Sequence, residues 1–116
     1  MTMRNYLQNG HVITVTAPTS GIASGDGLLI GSIFGIAAYA SSEGDPVELA
    51  TTGIYQLPKE STAVLTVGAP VSWDDSAKLV DAPAAGLFPI GIAVETAGNG
   101  VASVAVRLDG VATAAA

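Results

Sequence analysis

The chain reads as all-β: one small domain, a β-barrel or β-sandwich of about nine short strands, with an extended arm at its N-terminal end. Three observations predict this. Fourteen Gly and six Pro cut the 116 residues into short pieces. No stretch of eleven or more residues carries a Gly- and Pro-free i, i+3, i+4, i+7 apolar pattern. Runs of β-branched and aliphatic residues recur instead, with turn signals every eight to twelve residues or so.

The runs follow in order. His11 to Ala17 alternates β-branched residues and stops at Pro18. Leu28-Leu29-Ile30 and Ile33 to Tyr39 are parted by Gly31-Ser32. Val47 to Thr51 and Ile54 to Leu57 are parted by Thr52-Gly53 and end at Pro58. Pro70 to Trp73 and Lys78 to Val80 flank the polar turn Asp74-Asp75-Ser76-Ala77. Ile90 to Val94 and Val101 to Leu108 flank Thr96 to Gly100, where Asn99-Gly100 is the strongest hairpin signal in the chain. Lys59 to Thr66 fits a short helix or a loop. Phe34-Gly35-Ile36-Ala37 returns as Ile90-Gly91-Ile92-Ala93, about half the chain later, and an alternating strand follows each. That echo predicts two similar β-layers. Residues 1–8 read as an arm, 9–110 as the barrel or sandwich, and 111–116 as a flexible, unanchored tail.

Composition then narrows the function classes. Hydrophobic residues make up 49% and charged residues 12%, the reverse of a disordered chain. Four Lys+Arg against ten Asp+Glu give a net charge of -6, which disfavours direct nucleic-acid binding, since that runs on cations displacing phosphate counterions. With no cysteine there is no disulfide, thiolate metal site or cysteine nucleophile. Leu28 to Ala40, the most apolar stretch, is too short and too glycine-rich to span a membrane, and the N-terminus lacks a signal-peptide pattern. We therefore expect a soluble chain that stays where it is made, with no membrane partner.

Catalytic constellations are missing. His11, the sole histidine, reads as a solvated turn residue beside Asn9-Gly10, and no GxSxG presents a serine to it. Asp74-Asp75 lacks the oxygen-ligand spacing calcium requires and reads as a turn whose carboxylates cap backbone amides, as do Asp26 and Asp45. Neither Lys59 nor Lys78 follows a phosphate-binding glycine loop, and Gly21, Gly25 and Gly27 precede a strand rather than a helix. We expect no enzyme, no cofactor and no metal. Trp73 reads as a core anchor, though beside Asp74-Asp75 it also fits a sugar platform. Arg4, Asn5 and Tyr6 lie outside the patterned region and are the candidate interface residues.

The ordered runs RNYLQNGHVITVTAP, Gly25-Asp26 before LLIGSIFGIA, VELATTGIYQLPK, VSWDD with Lys78, IGIAVETA and VAVRLDG resemble the tailed-bacteriophage capsid cement, or head-decoration, family. The resemblance runs from Arg4 to Gly110. That family was long a domain of unknown function, sometimes labelled recombinase-like, but the missing phosphate loop argues against ATP chemistry here. The resemblance implies a structural virion protein on the outer capsid surface, made in the host bacterial cytoplasm. It further implies that the major capsid protein is the partner and that neighbouring capsid subunits are clamped. Lattice axes would favour a self-associated dimer or trimer. Two alternatives stand beside it: a minor tail or connector protein, and a small carbohydrate- or metabolite-binding β-module using Trp73 and Asp74-Asp75.

Overall fold

A computed structural model describes residues 10–116 and folds them into nine strands, with no helix among the described residues. They are β1 (Val12–Thr16), β2 (Gly27–Ile30), β3 (Ile33–Ala37), β4 (Pro46–Ala50), β5 (Thr52–Pro58), β6 (Pro70–Asp74), β7 (Leu79–Asp81), β8 (Phe88–Ala93) and β9 (Ser103–Asp109). Every named strand pairing is antiparallel. The first sheet has the order β1-β4-β3-β2, and the second β5-β9-β8-β6-β7.

The two sheets share one wiring. Replacing β1, β4, β3 and β2 by β5, β9, β8 and β6 reproduces the strand order, and β7 is an addition at the second sheet's edge. The backbone repeats with it. Asp26 O accepts Ala37 N as Ala69 O accepts Ala93 N, and Ala37 O accepts Gly25 N as Ala93 O accepts Gly68 N. Ile22 bridges Ser41 as Leu65 bridges Ala97. Gly35 and Gly91 are equivalent and share a physical reason. A Cβ on Gly35 would lie 2.7 Å from Ala50 O, and one on Gly91 would lie 1.9 Å from Arg107 O. Any side chain at either position drives into the neighbouring strand. The echo between FGIA and IGIA therefore marks a repeated backbone contact as well as a repeated apolar pattern.

Alternation sets the burial. In β9, Val104, Val106 and Leu108 face inward, while Arg107 faces out. They join Val71, Trp73, Val80 and Leu57 in the main core, which Phe34 and Ile36 of β3 enter from the first sheet. The Phe34 and Trp73 rings sit 4.9 Å apart at 50°. Burying an indole removes roughly 200 Å² from water, worth about 5 kcal/mol. A smaller cluster of Ala17, Ala37 and Val47 fills the inside of the first sheet. β3 is thus buried on both faces, and the two sheets are joined through it.

Two local expectations change, and one left open between helix and loop resolves. The chain around Asn99-Gly100 is not a two-residue hairpin turn: the β8–β9 ladder begins at Ala93–Val106, and the intervening loop bridges to Leu65 through Ala97. Lys59 to Thr66 is a loop, held by the Lys59 ammonium. The segment 111–116, expected to be unanchored, is hydrogen-bonded to the β2–β3 turn and to the loop before β8. Thr113 N donates to Ser32 O in the β2–β3 turn, Ala116 N donates to Leu87 O, and Gly86 N donates to Ala116 O. Small side chains hid this attachment because backbone groups make it.

Candidate functional site

The residues that suggested chemistry are dispersed and occupied. His11 leads into β1; its Nδ1 lies 2.9 Å from Thr52 Oγ1, and its carbonyl accepts Thr51 N and Oγ1. Asp74 Oδ1 accepts the Ser76 and Ala77 amides, and Asp26 Oδ2 accepts Ala23 N, so both carboxylates close turns. Asp75 points elsewhere, taking Trp73 Nε1 at 3.1 Å and Lys78 Nζ at 2.7 Å. Burial tends to raise the Asp75 pKa, but the hydrogen bonds from Lys78 and Trp73 and the Lys78 charge outweigh it and hold it below the usual carboxylate value. Among the described residues no three His, Cys, Asp or Glu gather as a metal site. Arg4, Asn5 and Tyr6 lie outside the described residues.

Two of the concavities formed by the described residues adjoin the second sheet. One, of about 490 Å³, lies where the Gly25–Leu29 chain of the first sheet meets Trp73, Asp75 and Lys78. Trp73 is only 1% exposed and its N–H is bound to Asp75, so it offers no open ring face for a sugar to stack on. The Asp75–Lys78 pair is likewise satisfied internally. This cleft is a seam between sheets.

The other concavity, of about 550 Å³, lies on the outer side of the second sheet and is lined by Pro70, Pro83, Pro89, Ile92, Arg107 and Asp109, among others. Ladder register builds it: Ile54 pairs Arg107, Arg107 pairs Ile92, and Ile92 pairs Pro70, so these four side chains form one row. Ile54 is 62% exposed. Lys59 Nζ is buried on the carbonyls of Glu60, Ser61 and Ala63, and Lys78 Nζ is paired. Arg107 has no side-chain hydrogen bond or ion pair among the described residues. An uncommitted guanidinium inside an apolar rim has the composition of an interface anchor. Sequence reading missed it because VAVRLDG reads simply as an alternating strand. The available signal was an arginine on the outward phase, in a chain with four cations.

Comparison with known proteins adds one match. The family model for phage cement protein matches residues 7–108. No curated protein and no solved structure matches the chain.

Proposed function

Because the chain belongs to the phage cement protein family, with a structural role at the phage capsid, we propose that it binds the outside of the assembled head and stabilises contacts between neighbouring major capsid subunits. The family match over residues 7–108 carries this reading. The architecture supports it physically. The two sheets share a core through β3 and Trp73, which makes a stiff body able to transmit load between two contacts. A protein that binds the assembled lattice and not its free subunits stabilises the lattice by mass action, and a copy touching two subunits gains from effective concentration. No reaction is required of it.

The chain is made in the host cytoplasm and joins the outer capsid surface as a dimer or trimer. Arg4, Asn5 and Tyr6 form an arm that lies along a capsid subunit and adds affinity there. Residues 9–110 form the body that folds without the arm. Heads stripped of the protein should regain it on titration, and their thermal disruption temperature should rise with occupancy. Gold-labelled antibody should decorate the whole head; label confined to one vertex would instead assign a connector role. Removing residues 2 to 8 should leave the melting temperature unchanged and lower head occupancy. Equal occupancy would remove the arm from the contact.

A further inference from the structure

We propose that the Arg107 face of the second sheet docks the Glu48 face of the first sheet of another copy, and that this is how the chain self-associates. The inference rests on the self-association in the reading above and assigns its surfaces.

Charge carries the argument. The chain has a net charge of -6, so a cation unpaired among the described residues, sharing a groove with Ile92 and Pro70 and paired across the ladder with Ile54, stands out against its own surface. Asp109 lines the same groove, but its Oδ1 accepts Val111 N and makes no ion pair with Arg107. The complementary group lies on the other sheet. Glu48 is exposed on β4, its carboxylate without a hydrogen bond or ion pair among the described residues. It pairs across the ladder with exposed Thr14, and the exposed Val12 and Thr16 stand on the same face.

The repeated wiring makes the two faces counterparts. Arg107 pairs Ile54 and Ile92, just as Ala50 pairs Val12 and Ile36. In the first sheet, β3 residues on this side, Phe34 and Ile36, are already covered by the second sheet's core. In the second sheet the corresponding Ile92 remains exposed. β4 carries its charge at Glu48, beside Ala50, and β9 carries the opposite charge at Arg107, beside Ala105. The exposed β1–β4 part of the Glu48 side and the outer side of the second sheet therefore match in backbone form and oppose in sign. A carboxylate reaching Arg107 can engage two guanidinium N–H groups at once, and the flanking Ile and Val side chains exclude water from the pair.

Each copy carries one of each face, so any closed assembly uses every Glu48 and every Arg107. The test is charge reversal in the full chain, read by sedimentation equilibrium. Wild type should associate, and raising salt should weaken it. Arg107→Glu and Glu48→Arg should each weaken association at least about tenfold, through like-charge opposition. Both should keep the wild-type far-ultraviolet circular dichroism, which shows that the fold is intact. The variant combining both reversals should regain association. Wild type that stays monomeric, single reversals that associate normally, or a combined reversal that fails to recover would each overturn the proposal. Binding to stripped heads separates this from the cement reading. If Arg107→Glu keeps its solution mass but loses the heads, that face meets the capsid, and the inference fails alone. If association follows the charges while no form binds heads, the cement reading fails and the inference stands.

Discussion

The first sheet and the second sheet have the same strand order and the same backbone contacts, yet they are stabilised differently. The second encloses its own large core around Trp73, and the β7 hairpin supplies Val80 to close it. The first encloses only a small cluster around Ala37 and Val47, and it lends Phe34 and Ile36 to its neighbour. Equivalent positions also diverge. Ala17 N donates to Asp45 O at one strand end, and Lys59 N donates to Ala102 O at the other. Both residues are buried, but only Lys59 brings an ammonium that gathers three carbonyls and holds the following loop. The lesson is that ladder geometry and core content are separable. The wiring is retained where two glycines preserve close backbone approach, and the packing is free to differ around it.

Substitutions at matched positions should separate the two sheets. Gly91→Ala should have the largest effect, more than about 4 kcal/mol, because its Cβ would overlap a backbone oxygen that cannot swing away. Gly35→Ala should cost less, about 1–3 kcal/mol, since part of its clash is with the Leu49 side chain. Equal losses in urea unfolding would mean the two glycines are not constrained differently. Next, Trp73→Ala should cost about 3–5 kcal/mol and Val47→Ala about 2 kcal/mol, reflecting the large and small cores. Native Trp73 emission should be blue-shifted; emission at the wavelength of free indole would contradict its burial.

Lys59→Ala should cost about 2–3 kcal/mol by leaving buried carbonyls unpaired. A melting temperature equal to wild type would show that water replaces the ammonium without loss. Asp75 should give the smallest effect. Its pKa in the folded protein is lowered, so its contribution is present above the unfolded value and is lost as pH falls through the folded one. Asp75→Asn should therefore narrow its stability gap to wild type in acid. At a site this open to water the gap should stay below about 1 kcal/mol. A gap that widens as pH falls would reverse the assigned sign.

Local chemistry made all nine strands readable, because glycine, proline and Asp-rich turns punctuate β-branched runs. Pairing was another matter. Nothing in the alternation of His11 to Ala17 says that β1 joins β4 rather than β2, since hydrogen-bonded neighbours are chosen by tertiary packing. The FGIA and IGIA echo was the one long-range clue, and Gly35 and Gly91 explain why it persists. Residues 111–116 were misread because VATAAA has no side-chain signal, while its attachment is made by amides and carbonyls. Asp74 and Trp73 were legible from residue type and position alone. Arg107 was not, because it stands out only by comparison with Lys59 and Lys78, which have partners that it lacks among the described residues.

The sharing of one core between two sheets also orders events in time. β1 to β4 all leave the ribosome before β5 does, so the first sheet can pair its strands while the rest is still being made. The hairpins β2–β3 and β6–β7 close locally, within about 1–10 μs. The β5–β9 ladder, joining Thr52 to Asp109, must wait for nearly half the chain, and such non-local pairing folds in roughly milliseconds to seconds. Until Trp73 arrives, Phe34 and Ile36 lie in water on an otherwise paired sheet. A polypeptide stopped after β4 would therefore present a sticky apolar face, and stalled synthesis should yield aggregates rather than a stable half-protein.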